Sequence, residues 1–196
     1  MKNTNIVVST ITSCYKGKKY LKTFLENLPK QSFFNQLEIV LAHNEPDNEE
    51  LEWVKNFQKK YPQHLKHIIF EKVTPLGTSW NTCINNASGN LLTIWNIDDT
   101  RTTNSIEVQA QELINNNTID IVYGDYATVK TFGSTNSTLI KHEHIPESEF
   151  TRSMIWGPFF MFRKSIIEKA GYFDEQFKSA LDLDFTIRLA LHRKAK

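Results

Sequence analysis

Between Ile6 and Ile97 the chain alternates short β-branched, apolar runs with stretches of helical periodicity. The apolar runs are residues 6–12, 37–42, 67–72 and 91–97. Between them, Tyr20, Leu21, Phe24, Leu25 and Leu28, then Leu51, Val54, Phe57 and Tyr61, then Trp80, Ile84 and Ala87 recur three or four residues apart. Strands joined through helices run parallel, because only a long crossover returns the chain to the same sheet edge. Helices on both faces leave such strands no solvent side, so they read as continuous apolar runs. The pattern therefore predicts a three-layer α/β/α domain with a mostly parallel central sheet.

Pro29 and Pro62 close the first two helices, and Gly89 caps the third. Asn104 and Glu107 have capping-box spacing ahead of a helix carrying Ile106, Ala110, Leu113 and Ile114. Residues 119–129 read as strand-rich, and 163–170 as a helix capped by Gly171. A last helix starts near Asp182 with Phe185, Ile187, Leu189 and Leu191. The Asn/Thr/Ser-rich stretch 132–139 reads as a mobile loop. One domain over residues 1–196 is expected, without repeat or linker.

A net charge of +1 provides no field for nucleic acid, so none is expected as a partner. The sequence holds no run of 18 apolar residues, the length of a membrane span, and opens without a signal-peptide pattern. Cys14 and Cys83 lack zinc-site spacing and read as reduced, part-buried thiols. His142 and His144 lie two apart and read as exposed loop residues.

The fourth apolar run ends in Asn96-Ile97-Asp98-Asp99. A buried strand cannot hold charge cheaply, so the pair must face water, a cation or both. Ligands of open α/β sheets bind at the carboxyl ends of the strands, here residues 13–19, 43–48, 73–79 and 98–103. Hard divalent cations are held there by one or two carboxylates together with phosphate oxygens and water. A polar turn into the next helix is the plain alternative.

In this order the segments resemble family 2 glycosyltransferases of the GT-A (Rossmann-like) fold, over nearly the whole chain. The resemblance is carried by Val8-Ser9-Thr10-Ile11-Thr12-Ser13-Cys14-Tyr15, Leu37-Glu38-Ile39-Val40-Leu41 and Gly77-Thr78-Ser79-Trp80-Asn81. Asn96-Ile97-Asp98-Asp99 falls on the family's Asp-x-Asp, and Gly157 to Arg163 with Ala170 to Glu175 on its acceptor side. Leu181-Asp182 falls on the Glu-Asp region of its base. The resemblance implies inverting transfer of a sugar from a nucleoside-diphosphate donor to a glycan, lipid-linked or protein acceptor. It implies donor contacts from Thr12, Ser13, Tyr15, His43, Asn44, Gly77, Asn81, Asn96 and Asp98. A divalent cation, Mn²⁺ or Mg²⁺, would sit on Asp98 and Asp99, with Asp182 as the general base. The donor would be held by residues up to about 103 and the acceptor by those from about 104. The implied location is cytoplasmic, free or associated peripherally with the inner face of the membrane.

The sequence departs from the family in places. Asn96 replaces the first Asp, His43-Asn44 stand where two aspartates are usual, and Trp80 where arginine is frequent. The family's later segment does not follow Arg188, so a truncated or naturally short module is expected. Capping remains the plain role for Asp182, and dipole compensation for Asp184. Lys16, Lys18, Lys19 and Lys22 read as a solvated face. At least two of Trp156, Phe159, Phe160 and Phe162 should be buried. The competing function is a nucleotide- or glycan-binding module of the same fold without turnover. A haloacid-dehalogenase-type phosphatase needs an Asp in place of Asn96 and after the first strand, and a nucleotidyltransferase needs glycines missing from residues 9–16.

Overall fold

In the computed structural model, which describes residues 5–142, 149–150, 152 and 156–192, six strands form the central sheet. In chain order they are β1 (Val8–Tyr15), β2 (Leu37–Asn44), β3 (Leu65–Phe70), β4 (Leu91–Ile94), β5 (Ile121–Val122) and, after a separate hairpin, β8 (Met161–Arg163). The hairpin pairs β6 (Tyr126–Val129) with β7 (Ser137–Ile140). The sheet order is β3-β2-β1-β4-β8-β5. Strands β3, β2, β1 and β4 are mutually parallel, while β8 runs antiparallel to both β4 and β5.

Side-chain alternation divides the core into two layers. In β2, where every residue is buried, Leu37, Ile39 and Leu41 face one cluster and Val40 and Ala42 the other. The first cluster takes the apolar faces of α1 (Leu21–Asn27), α2 (Asn48–Lys60) and α4 (Ser105–Asn115). The second takes α3 (Leu76–Asn86), α5 (Ile167–Ala170) and α6 (Leu181–His192). The expected α/β/α layering is therefore observed. Trp156, Phe160 and Phe162 are buried, meeting the expectation for the aromatic run. Among the described residues, no helix is long and apolar enough to cross a membrane.

Several local expectations are corrected. The first strand reaches Tyr15, because β2 pairs it as far as Asn44, and β4 stops at Ile94 rather than Ile97. Pro29 lies inside a 3-10 turn that continues α1. Asn104 makes no side-chain cap; Glu107 instead accepts a hydrogen bond from Ser32 at 2.5 Å. The capping box that does form is Asp47 with Glu50, at the start of α2. Gly89 is not a cap: a Cβ there would stand 2.7 Å from the Val7 carbonyl oxygen and 2.8 Å from the Ser9 nitrogen. That contact lets β4 enter beside β1. Arg163 is in β8, while Gly171 does end α5 at φ 76°. The second half of stretch 132–139 belongs to β7, because it pairs with β6. His144 lies outside the described residues.

Candidate functional site

Chain order reverses at β1: β2 and β3 extend the sheet on one side and β4 on the other. Such a switch point opens a crevice beyond the carboxyl ends of the strands. Here the opening is visible in the register. β4 pairs only with Val8 to Ile11, so Thr12 to Tyr15 have β2 alone.

The segment after β4 folds into a tight turn beside this gap. The Trp95 N–H reaches the Ile11 carbonyl at 3.1 Å, and its indole N–H the Asp99 carbonyl at 3.1 Å. The Asp99 N–H closes the turn on the Asn96 carbonyl. Trp95 is fully buried and packs edge-on to Phe24 at 5.3 Å, so the turn is anchored in the core. Asp98 is exposed and Asp99 half-buried. Burial, and then the Asp98 charge, push the Asp99 carboxyl above its usual range. The Asn96 side-chain amide donates to Asp99 Oδ2 at 3.4 Å, which leaves its side-chain oxygen Oδ1 as an acceptor. Two adjacent carboxylates with a neutral carbonyl beside them are hard oxygen donors that fit a divalent cation.

Behind the pair lies Arg101, which the sequence reading missed. Its guanidinium donates to Thr93 Oγ1 at 2.6 Å, the Ile94 carbonyl at 3.3 Å and Gln109 Oε1 at 3.0 Å. It also lies 4.9 Å from the Phe159 ring centre. Burial pulls the guanidinium below its usual range, and the Asp99 charge partly restores it. A cavity of about 330 Å³ opens over the acidic pair, walled by Tyr20, Tyr126, Phe132, Pro158 and Phe159. Tyr20 and Phe132 meet edge-to-face at 4.8 Å, so the turn of the β6–β7 hairpin leans on the residue that precedes α1 across the cavity.

The other candidate residues fall into two groups. Tyr15, 44% exposed, ends β1 at the crevice, with half-buried Ser13 before it. Thr12 is buried and shares a hydrogen bond with Thr10 at 3.0 Å. His43 and Asn44 are not on a loop, as expected, but within β2 and buried, because the strand pairs as far as Phe70 of β3. Asn44 accepts from the Thr74 N–H at 2.7 Å and donates to Ser79 at 3.3 Å. His43 faces Glu50 and His67 rather than the crevice.

Gly77 lies inside the first turn of α3, not in a turn before it. A Cβ there would stand 3.2 Å from Leu181 and 3.4 Å from the Glu175 Cα. Asn81, 8% exposed, donates to the Phe173 carbonyl at 2.9 Å and to Glu175 Oε1 at 2.8 Å. It accepts from the Phe173 N–H at 2.9 Å. These contacts pin residues 173–181 against α3.

Asp182 is the second residue of α6, not its cap, and its carboxylate accepts from the Leu183 N–H at 2.9 Å. Asp184 is committed to Arg188, with contacts of 2.6 and 3.0 Å. Because α3 runs back against the strands, its first turn lies at the carboxyl edge of the sheet. Leu181, packed at Gly77, brings Asp182 to that same edge. Lys18 is held by Asp47 and Glu49 at 2.9 and 3.2 Å, as a solvated face requires.

Residues 9–171 match the sequence pattern described as Glycosyl transferase family 2. An uncharacterized glycosyltransferase of Methanocaldococcus jannaschii is 28% identical over 190 residues, covering 93% of this chain and 64% of that protein. Among solved structures, S. aureus TarS residues 1–349 in complex with UDP superposes with a TM-score of 0.74 at 21% identity. That comparison covers 96% of this chain and 56% of TarS 1–349. The mannosyltransferase PcManGT from Pyrobaculum calidifontis, in complex with GDP-Man and Mn²⁺, gives 0.69 at 16% identity. It covers 96% of this chain and 53% of that one. The chain thus spans under two thirds of each of these proteins, and the structural likeness is one of fold.

Proposed function

The chain belongs to Glycosyl transferase family 2, and within that family we propose an inverting, cation-assisted transfer from a nucleoside-diphosphate sugar to an acceptor hydroxyl. The observation that carries this reading is the acidic turn at the switch point, with Asp98 exposed, Asp99 half-buried and an aromatic cavity of about 330 Å³ above them. UDP on TarS and GDP-Man with Mn²⁺ on the mannosyltransferase support a nucleoside-diphosphate donor and a divalent cation for this chain as well.

Asp98 and Asp99 are the residues that would hold Mn²⁺ or Mg²⁺, with the Asn96 side-chain oxygen Oδ1 beside them. A bound divalent ion supplies charge neutralisation for the departing diphosphate. Tyr15 and Ser13, at the open end of β1, receive the nucleotide. Asn44 and Asn81 act indirectly, by fixing the loops that border the crevice. Arg101 holds the acidic turn from below and keeps positive potential near it. Tyr126, Phe132 and Phe159 offer ring faces to a sugar and keep water from it.

Asp182 takes the proton of the acceptor hydroxyl. As the acceptor oxygen bonds to the anomeric carbon, the bond from that carbon to the phosphate oxygen breaks and its electron pair leaves with the diphosphate. Attack opposite the leaving group inverts the centre and forms no covalent enzyme intermediate. Asp184 cannot readily share this task, because Arg188 holds its carboxylate. Residues up to about 103 serve the donor and later ones the acceptor, within one GT-A unit.

The test pairs ligand-linked stability with turnover. UDP or GDP with Mn²⁺ should raise the melting temperature by mass action. Asp182→Asn should keep that shift while lowering transfer about 10²–10⁴-fold, the usual loss for a general base. Near-normal turnover in Asp182→Asn, with the loss at Asp184→Asn instead, would move the base by two residues. Normal turnover in both variants would overturn the mechanism.

A further inference from the structure

Beneath the crevice, on the opposite side of β1 and β2 from α3, lies a second group of metal-binding side chains. Cys14 of β1 and His43 of β2 are register partners, and Glu50 of α2 leans over them. Cys14 Sγ, a ring nitrogen of His43 and a Glu50 oxygen all lie within 4.8 Å of one another. All three residues are 2% exposed or less.

Their polar atoms are not satisfied by one another. His43 Nε2 and Glu50 Oε2 stand 3.5 Å apart, an ion-pair distance at the outer limit of a hydrogen bond. His43 Nε2 and Glu50 Oε1 both lack a hydrogen-bond partner. Buried polar atoms without partners are costly, and two facing one small space call for a shared partner.

The surroundings orient these atoms inward. His43 Nδ1 lies 3.1 Å from His67 Nε2. With its proton on Nδ1, donated to His67, the ring turns the Nε2 lone pair toward Cys14 and Glu50. An imidazole that ligates a metal is commonly fixed in this way through its other nitrogen. Glu50 Oε2 is held by the Asp47 N–H at 3.0 Å, which leaves Oε1 to point into the group. Gly17 and Ile97 close the roof: a Cβ on Gly17 would overlap Cys14 Sγ and stand 2.9 Å from Ile97 Cδ1 and 3.4 Å from Glu50 Oε1.

We propose that Cys14, His43 and Glu50 form a three-ligand site for a divalent ion of the zinc class, its fourth position left to water, with His67 as the residue that orients His43. One sulfur, one imidazole nitrogen and one carboxylate oxygen are the donors Zn²⁺ takes, at about 2.0–2.3 Å each. The sulfur disfavours Mg²⁺ and Mn²⁺, which suit oxygen donors. The site is therefore chemically distinct from the Asp98–Asp99 pair. Two of its ligands, Cys14 and His43, immediately precede Tyr15 and Asn44, so the ion would fix the ends of the two strands that border the crevice.

The experiment uses the full chain with Zn²⁺ and Co²⁺ alone, without nucleotide. The purified protein should retain one equivalent of zinc after dialysis. After chelation, Co²⁺ should restore one equivalent and produce a thiolate-to-cobalt charge-transfer band in the near ultraviolet, which Zn²⁺ then displaces. The band should vanish in Cys14→Ser and persist in Cys83→Ser and Asp98→Ala. His67→Phe should weaken Co²⁺ binding about 10–100-fold, as loss of an orienting partner does. Absence of both stoichiometric zinc and the cobalt band in the wild type would overturn the site. So would a band that survives Cys14→Ser. Should Cys14→Ser fail to fold, Glu50→Gln carries the decision, because its amide oxygen still accepts from Asp47. At least a tenfold loss of Co²⁺ affinity there supports the site, and unchanged affinity overturns it.

Discussion

Replacing Asn81 by alanine removes three hydrogen bonds at once, and the structure says which of them matter. Two go to the backbone of Phe173, which is 2% exposed, at 2.9 Å each. Deleting the amide leaves one N–H and one C=O without a partner, each costing about 1–3 kcal/mol when buried. The third bond goes to Glu175, whose exposed carboxylate water can resolvate, so it adds little. Some water will also reach Phe173 through the vacated space. The expected loss is therefore about 2–4 kcal/mol, read as a shift in urea midpoint at constant slope. For a chain of this size that lowers the melting temperature by about 5–15 °C. Nucleotide affinity should change less than about threefold, under 1 kcal/mol. Both amide protons of Asn81 are already donated, and only one lone pair of its oxygen remains. Titration of UDP or GDP with Mn²⁺ on the folded variant checks this. Stability within about 0.5 kcal/mol of wild type, the usual range for a surface substitution, together with a tenfold loss of affinity, would refute the clamp and make Asn81 a ligand of the donor.

Asp98→Ala and Asp99→Ala should each abolish the Mn²⁺-dependent part of nucleotide stabilisation and leave the apo melting temperature nearly unchanged; intact Mn²⁺ linkage in both would reduce the pair to a turn. Gly89→Ala should cost about 1–3 kcal/mol or more in urea unfolding, because the added methyl meets backbone atoms of Val7 and Ser9 that cannot step aside. Hydrogen bonds from Thr78, and then Asn81, hold the Glu175 carboxyl below its ordinary value of 4.5. Its contribution is then complete above pH 4.5 and lost as pH falls through the lower folded value, so Glu175→Gln should flatten the acid limb of stability against pH. An unchanged acid limb would show that other carboxyls set it.

The parallel sheet was readable because each buried strand writes its own apolar run, and each crossover helix its own period. The end points were less so. Strand ends depend on what lies alongside: β1 continues to Tyr15 because β2 does, and β4 stops at Ile94 where β1 loses it. The acidic turn was legible because two charges after an apolar run have few places to go. Arg101 was not, since a lone arginine three residues on carries no sign that Thr93, Gln109 and two aromatic rings will enclose it. Asp47–Glu50 and Asn104–Glu107 have the same capping-box spacing in the sequence. Only the fold decides between them, by giving Glu107 to Ser32. Asn81 and the Cys14, His43 and Glu50 group are long-range coincidences. Their partners lie 92 residues away for the first, and on two strands and a helix for the second.

The one reversed strand sets an order of assembly. Strands β1 to β4 and the helices between them are complete once Ile94 has been made, but the partner for the outer edge of β4 is β8, from Met161 to Arg163. At about 5–20 residues per second, a ribosome needs roughly 3–14 s to supply it. Throughout that interval an apolar strand whose four residues are all buried in the finished protein presents a bare hydrogen-bonding edge. Nascent chains stalled before Met161 should therefore associate with one another or recruit a holding chaperone, and chains released after Arg163 should not. The price of inserting a late segment beside the acidic turn is a few seconds of stickiness at every round of synthesis.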